Sequence, residues 1–189
     1  MSNKKLMEEH GLVFPRSEGI MAGELTVTAA GSGVGRSQLI EYTKYPKTPR
    51  LYGGNCVITE KLHGTNGTLI FQKDGAMTCG SRNRALTREK NGDNHGFLAW
   101  AAERQRELFH ILGEGVHSGE WCGPGIEGNK HELEERVFFL FDTTLVQKLD
   151  HYSSQCAELQ LWHVPVMYEG KFTPDIVARM MDELKMGRR

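Results

Sequence analysis

The chain has 189 residues, of which 39% are hydrophobic and 25% are charged, and its formal net charge is −1. This length corresponds to one domain of ordinary size, or a domain with a small appendage, and it buries enough apolar surface to fold without a disulfide or a metal. The composition excludes an extended, highly charged disordered chain. The charge balance argues against nonspecific coating of nucleic acid, although a local basic groove is compatible with it.

The cysteines and the ends of the chain indicate a reducing compartment. None of the four cysteines belongs to a C-x-x-C pair, so the sequence predicts neither a zinc site nor a redox motif. No apolar run approaches the roughly 20 residues that span a bilayer, and the stretch "MSNKKLMEEHGLVF" lacks the apolar core of a signal peptide. We therefore expect reduced cysteines and a cytoplasmic protein, which for a virus-encoded chain means the host cytoplasm.

Residues 1–50 alternate short apolar pieces with Gly, Pro and Ser, and this texture predicts strands and loops of the same domain as the remainder. In "KYPKTPR" the cations Lys44, Lys47 and Arg50 are three residues apart, and the intervening prolines favour an extended backbone that would align them. This segment is either a phosphate-facing stripe or a solvated connector.

From Asn55 onward the chain is rich in β-branched residues. The runs "CVITEK" and "GTLIFQ" flank a turn, and "KDG" leads into "AMTCGS", which together predict an antiparallel meander. The segments "VHSGEW", "RVFFLFDT" and "LWHVPVMY" predict further strands, the last at an edge or a bulge because of its proline.

Two helices are predicted among these strands. "HGFLAWAAERQRELFHILG" has apolar residues at helical spacing and ends at Gly113, which suits a C-terminal cap. A last helix begins after Thr173 as N-cap, with Pro174 in its first position. Runs of antiparallel strands with segregated helices predict an α+β domain.

Lys61 lies where an apolar strand meets a tight turn, in "ITEKLHGTNGTLIF". A lysine attacks an electrophilic phosphorus only as the free amine, which nearby positive charge or partial desolvation favours. Gly64 would let a phosphate approach, yet the same pattern more often marks a solvent-facing lysine. Other motifs are incomplete: "GSGVGRS" lacks the P-loop lysine, "HELEE" lacks a second histidine, and no G-x-S-x-G elbow is present.

The segment "EKLHGTN" resembles motif I, K-x-[DHN]-G, of the covalent nucleotidyltransferases, which comprise ATP-dependent DNA ligases, RNA ligases and mRNA capping enzymes. The form E-K-x-H-G-T-N resembles the RNA-editing-ligase type, which includes the nick-sealing RNA ligases of phages. The resemblance implies that Lys61 is the nucleophile, that Glu60 lies in the nucleotide site, and that His63 and Asn66 meet RNA ends. DNA ligases usually carry aspartate at the position of His63.

Three further segments follow in the order of the family. "SRNRAL" resembles the motif whose arginine contacts the nucleotide, which implies Arg82, and "GEWCG" resembles motif III, which implies that Glu120 binds the ribose. "VFFLFDT" resembles motif IIIa, whose aromatic residue stacks on adenine; this implies Phe141, with Phe139 on the same strand face as the alternative. Taken singly, Arg82 could be a loop arginine, Glu120 a surface carboxylate and the phenylalanines core residues.

The resemblance implies an antiparallel-sheet adenylyltransferase domain, an ATP-grasp-like nucleotidyltransferase fold, over residues 51–189. It covers residues 60–142 strongly and continues more weakly to Phe172. Neither the E-G-x-V strand of motif IV nor the K-x-K strand of motif V is found after Phe172. The catalytic domain is therefore expected to be incomplete at its C-terminus, and no metal ligand is identified.

The activity that the resemblance implies is ATP-dependent RNA ligation with Mg²⁺, through a lysine–adenylate, at 5′-phosphate and 3′-hydroxyl ends in RNA repair. Because several charge-stabilising groups are not found, two alternatives stay open. The chain could be a non-catalytic nucleotide- or RNA-end-binding module, or one half of a split ligase that a partner chain completes. A DNA ligase or capping enzyme is disfavoured by His63 and by the lack of a following OB-type segment.

Overall fold

The computed structural model describes residues 11–15, 54–89 and 92–187. The basic segment with Lys44, Lys47 and Arg50 and the glycine-rich segment "GSGVGRS" lie outside the described residues. In the described part, no helix is both long enough and apolar enough to span a bilayer.

The described residues form eight strands and five α-helices. The strands are β1 (Gly11–Pro15), β2 (Asn55–Glu60), β3 (Thr65–Phe71), β4 (Met77–Gly80), β5 (Gly115–Cys122), β6 (Val137–Leu140), β7 (Leu161–His163) and β8 (Val166–Lys171). The helices are α1 (Phe97–Glu103), α2 (Gln105–Leu112), α3 (Val146–His151), α4 (Ser153–Leu159) and α5 (Pro174–Gly187). A single 3₁₀ turn at Thr143–Leu145 precedes α3.

The strands form two sheets. One sheet has the order β1-β2-β8 and is antiparallel; the other has the order β4-β3-β5-β6-β7 and is antiparallel except for the parallel pair β6–β7. The prediction of an α+β domain built on antiparallel sheets is confirmed.

The predicted meander is wrong at its first turn, because β2 and β3 do not pair. β2 pairs with β1 and β8, whereas β3 pairs with β4 and β5. The segment 61–64 therefore carries the chain from one sheet to the other. Strand propensity predicted both strands but could not indicate their partners, since pairing depends on residues distant in sequence.

The strand predicted from "LWHVPVMY" is also two strands, and they belong to different sheets. Val164 and Pro165 separate β7 from β8, and the Pro165 carbonyl accepts a hydrogen bond of 2.9 Å from the Glu60 amide. Among the described strands both β7 and β8 lie at sheet edges, as the proline predicted. The second crossing between the sheets thus lies beside the end of β2, where Lys61 follows.

The long predicted helix consists of two shorter ones. The break is at Arg104, whose φ of −116° and ψ of 14° are not helical, and the capping role of Gly113 is confirmed by its φ of 82° and its bond to the Phe109 carbonyl. Pro174 is the first residue of α5, as predicted. Helices α3 and α4 were not predicted, because only Leu149, Cys156 and Leu159 in them are buried, too few for a clear helical period.

Helices α1 to α4 cover one face of the five-stranded sheet and bury an aromatic core there. The ring centroids of Phe97 and Phe138 are 4.9 Å apart, and those of Trp100 and Trp121 are 5.0 Å apart. All six residues that gave the helical period are buried: Phe97, Trp100, Ala101, Leu108, Ile111 and Leu112. The opposite face of this sheet carries the polar residues that the sequence singled out.

Gly119 in β5 admits no side chain. A Cβ built there would lie 2.2 Å from the Phe139 carbonyl oxygen and 2.7 Å from the Phe138 ring. Because the first neighbour is backbone of a paired strand, we expect Gly119→Ala to lower the free energy of unfolding by about 1–3 kcal/mol or more. Urea denaturation followed by circular dichroism measures the change. Val116→Thr, at an exposed position of the same strand, is the control and should shift stability little.

Candidate active site

Lys61 directly follows β2 on the segment that crosses between the two sheets. Its side chain is exposed, whereas Leu62 is buried in an apolar cluster with Cys122, Phe139 and Val164. The buried leucine anchors the crossing segment, and the lysine beside it remains accessible to a ligand. The position at a strand end that the sequence predicted is confirmed.

Gly64 allows the crossing segment to lie directly on β5. A Cβ at this position would be 2.4 Å from the Trp121 carbonyl oxygen and 2.7 Å from the Cys122 sulfur. The Gly64 amide donates a hydrogen bond of 3.0 Å to Oε1 of Glu120. The glycine of K-x-x-G is therefore required here by close packing against the strand that carries motif III.

One row of side chains crosses the sheet through the site. Strand register pairs Asn66 with Glu120, Glu120 with Phe139, and Phe139 with Trp162. Directly opposed residues share a face of a sheet, so segments far apart in sequence converge on one surface. This surface is the face of the five-stranded sheet that the helices leave uncovered.

Glu120 is the electrostatic centre of the site. Its burial raises the pKa of the carboxyl from 4.5 to about 7, while the Gly64 amide and the cations Lys61 and Arg82 oppose this rise and Glu127 adds to it. Lys61 and Arg82 therefore stabilise the charged form of this carboxylate electrostatically. Arg82 itself is exposed, in the tight turn that follows β4 and closes through the bond of the Ser81 amide to the Arg84 carbonyl, 2.8 Å.

The two candidate aromatic residues differ in exposure. Phe139 is only 8% exposed and belongs to the apolar cluster around Leu62, whereas Phe141 is half-buried and packs against the edge of that cluster. The Phe141 amide donates to the Ser118 carbonyl at 2.9 Å, which continues the pairing with β5 beyond the end of β6. Of the two rings, that of Phe141 is therefore the more exposed.

The remaining predicted residues lie around the crossing segment with different exposures. Glu60 is 3% exposed at the end of β2, His63 is half-buried in the crossing segment, and Asn66 is half-buried in β3. The Asn66 side-chain amide donates to the Gly119 carbonyl at 3.5 Å, a long bond. The structure thus brings every candidate residue except Arg82 to the segment 60–66 or to the sheet face beside it, and Arg82 lies in the turn after β4.

Two residues that contact this segment were not predicted from the sequence. Asn94 accepts from the Thr65 hydroxyl and donates to the Asn66 carbonyl, both at 3.0 Å. His131 accepts a bond of 2.8 Å from the His63 amide. Both lie in loops, 28 and 68 residues away from their partners, and no motif or spacing marks them.

The chemistry of the described residues fits nucleotide binding better than metal binding. They contain no group of three or more His, Cys, Asp and Glu side chains that could hold a metal ion. The cysteines Cys56, Cys79, Cys122 and Cys156 are free, and all four are buried. An accessible amine, a guanidinium, a carboxylate and an aromatic ring on one surface suit an anionic ligand with a base and a sugar.

This geometry defines an α+β protein of the nucleotidyltransferase type. The family model described as RNA ligase matches residues 54–188. The chain belongs to the RNA ligase family.

Solved structures of a Naegleria gruberi RNA ligase are similar to this chain. A variant with ATP and Mn is 21% identical, with 63% of this chain and 38% of that one covered and a TM-score of 0.48. A variant with AMP and Mn is 23% identical, with 61% and 37% covered and a TM-score of 0.46. The structure with PPi is 23% identical, with 61% and 36% covered and a TM-score of 0.42. The matched part of this chain spans less than two fifths of the length of these ligases.

The raised pKa of Glu120 makes stability depend on pH. Between pH 4.5 and about 7 the folded protein holds a proton on this carboxyl that the unfolded chain has lost, so the contribution of Glu120 to stability falls as pH rises through this window. Glu120→Gln removes this pH-dependent loss of stability, because a glutamine side chain does not titrate. We expect the difference in melting temperature, variant minus unsubstituted protein, to become more positive as the pH rises from 5 to 8.

Differential scanning calorimetry at several pH values measures this difference. Glu114→Gln, at an exposed glutamate just before β5, controls for the removal of one carboxylate. A constant difference between Glu120→Gln and the unsubstituted protein across the window would contradict the assignment.

Proposed function

We propose that the chain carries the lysine–adenylate chemistry of an ATP-dependent RNA ligase that seals 5′-phosphate and 3′-hydroxyl ends during RNA repair. The observation that carries this proposal is the match of the RNA ligase family model over residues 54–188, within which Lys61 is accessible beside Glu120 and Arg82. The neighbouring cation and the sheet face beside Lys61 support a phosphate-bearing nucleotide as the ligand.

The first step is the attack of the Lys61 amine on the α-phosphorus of ATP. A nitrogen–phosphorus bond forms, the bond from the α-phosphorus to the pyrophosphate oxygen breaks, and the amine releases its proton to solvent. Arg82 offsets negative charge that develops on the phosphate oxygens, a task that falls to positioned cations in phosphoryl transfer. The exposure of Lys61 leaves a path for ATP to enter and for pyrophosphate to leave.

The nucleotide lies on the row of side chains that crosses the sheet. Glu120 accepts hydrogen bonds from the ribose hydroxyls, and the Phe141 ring stacks on adenine. Glu60, buried just before Lys61, lines the same end of the site. The Gly64 amide holds one oxygen of Glu120, which orients the carboxylate toward the sheet face that the nucleotide occupies.

Mg²⁺ would be held at this site by the phosphates of ATP, with Glu60 and Glu120 as the carboxylates among the candidate residues. Protein sites for Mg²⁺ commonly use one or two carboxylates and the phosphates of the substrate. When bound, the ion supplies charge neutralisation of the phosphates.

RNA ends approach the crossing segment. His63 and Asn66 flank Gly64, and their polar side chains are half-buried next to the position of the adenylate. The adenylate passes from Lys61 to a 5′-phosphate, and a 3′-hydroxyl then displaces AMP as the new phosphodiester bond forms. Recognition of the 2′-hydroxyl would distinguish RNA from DNA. We expect this RNA ligation to take place in the cytoplasm. A partner chain would provide any further phosphate-binding lysines that sealing needs.

Intact-mass spectrometry after incubation with ATP and Mg²⁺ tests the nucleophile. We expect the unsubstituted chain to gain one adenylate and Lys61→Ala to gain none, because the proposed nitrogen–phosphorus bond forms at the Lys61 amine. Lys73→Ala, at an exposed lysine in the β3–β4 turn, is the matched control and should gain the adenylate.

The same samples, assayed on a nicked RNA duplex, test sealing. An unsubstituted chain that gains no adenylate contradicts autonomous catalysis and favours a binding module or a split ligase. Adenylation without sealing contradicts only the assignment of RNA-end joining to this chain alone.

Phe141→Ala tests the stacking partner of adenine. Loss of a base-stacking ring costs about 1–3 kcal/mol, so we expect the KM for ATP in the adenylation step to rise about tenfold or more. Phe109→Ala, at a half-buried phenylalanine of α2 on the other side of the sheet, is the control and should leave the KM unchanged. An unchanged KM in Phe141→Ala would assign stacking to another side chain.

A further inference from the structure

We propose that His131 is a positioning residue: its imidazole fixes the backbone of the segment that carries Lys61. The catalytic consequence rests on the proposed function, whereas the hydrogen bond itself does not. His131 lies in the loop between β5 and β6, and neither the motifs nor the family resemblance assigns it a role.

The contact is direct and has a defined chemical direction. The His63 amide lies 2.8 Å from Nε2 of His131, and the centroids of the two imidazole rings are 6.2 Å apart. A backbone amide can only donate, so Nε2 must be the unprotonated, accepting nitrogen of a neutral imidazole. The interaction therefore specifies both the tautomer of His131 and the position of the His63 backbone.

The turn that contains His131 is closed by side-chain and backbone hydrogen bonds between its first residue, Asn129, and the residues at its end. Asn129, with a left-handed φ of 48°, donates from Nδ2 to the Leu133 carbonyl at 2.9 Å and accepts from the Leu133 amide at 3.1 Å. The Glu132 amide donates to the Asn129 carbonyl at 2.9 Å. These bonds close a turn of five residues, 129–133, that contains His131.

The same turn is anchored to the residue that follows the nucleophile. Leu133 and Leu62 are 9% and 8% exposed and belong to one apolar cluster. The hydrogen bond of His131 and this cluster thus join the turn to the crossing segment at two consecutive residues, Leu62 and His63.

The crossing segment receives a side-chain acceptor at each of two successive amides. The His63 amide donates to His131 and the Gly64 amide donates to Glu120. Glu120 is expected to bind the ribose as well, so its hydrogen bond to the Gly64 amide changes when ATP binds. The hydrogen bond from the His63 amide to His131 does not involve the nucleotide, and it lies two residues from Lys61.

Amide hydrogen exchange of ¹⁵N-labelled protein tests the hydrogen bond without any need for activity. We expect a slowly exchanging His63 amide and a scalar coupling between its nitrogen and Nε2 of His131 in the unsubstituted protein. His131→Leu should accelerate exchange at His63 at least tenfold, and His131→Gln, which places an acceptor oxygen at a similar distance, should restore much of the protection. Lys130→Ala, an exposed neighbour in the same turn, is the matched control.

Single-turnover adenylation tests the positioning role. A displacement of about 1 Å at a reacting group costs on the order of 10²-fold in rate, so we expect a 10- to 100-fold fall in kcat for His131→Leu with little change in the KM for ATP. His131→Gln should recover most of the rate. If His131→Leu does not fold, Asn129→Gly removes the side-chain hydrogen bonds to Leu133 while tolerating the left-handed φ. This variant should show a smaller acceleration of exchange at His63 and a smaller fall in kcat.

The outcomes separate the two proposals. Unchanged exchange at His63 in a folded His131→Leu, or no coupling in the unsubstituted protein, overturns the inference. Faster exchange with an unchanged rate overturns the positioning role. If the unsubstituted chain is never adenylated, the proposed function fails, while the exchange result still decides whether His131 fixes the segment.

Discussion

The close contact of Gly64 with β5 is the constraint on which the site depends. At this point the chain leaves one sheet, crosses over the strand that carries Glu120, and enters the other sheet as β3. Any side chain at residue 64 would bring its Cβ to 2.4 Å from the Trp121 carbonyl oxygen, so the crossing segment would have to move away from β5. Because Lys61 lies three residues earlier on this short segment, this contact helps to set its position relative to the sheet face, together with the burial of Leu62 and the His63–His131 hydrogen bond.

Burial of Glu120 makes the contact between Gly64 and β5 chemically important, because the Gly64 amide donates a hydrogen bond to this carboxylate. A carboxylate removed from water is costly unless hydrogen bonds and cations compensate, and here the Gly64 amide, Lys61 and Arg82 do so only in part. The unbalanced charge favours any ligand that brings hydrogen-bond donors and positive charge to this position. This agrees with the proposal that Glu120 accepts hydrogen bonds from the ribose of ATP.

Much of the architecture was predictable from local patterns. β-branched runs indicated β2 and β3, the aromatic-rich segment "RVFFLFDT" indicated β6, helical spacing from Phe97 indicated the aromatic core, and a proline after Thr173 indicated the start of α5. Pairing was not predictable: the sequence placed β2 and β3 in one meander, and the structure places them in two sheets. Local propensity reports what a segment can form, whereas pairing depends on contacts between residues tens of positions apart.

The candidate site, like the fold, was predictable from the sequence only in part. The sequence by itself determined the types and order of the candidate groups, because an amine, a carboxylate and an aromatic ring are chemical identities that short motifs carry. Only the tertiary structure decided which groups meet: it aligned Asn66, Glu120 and Phe139 in one row, buried Phe139 more deeply than Phe141, and brought His131 to the His63 amide. Those outcomes depend on strand register and on the path of loops, which are set by packing over the whole domain rather than by any segment alone.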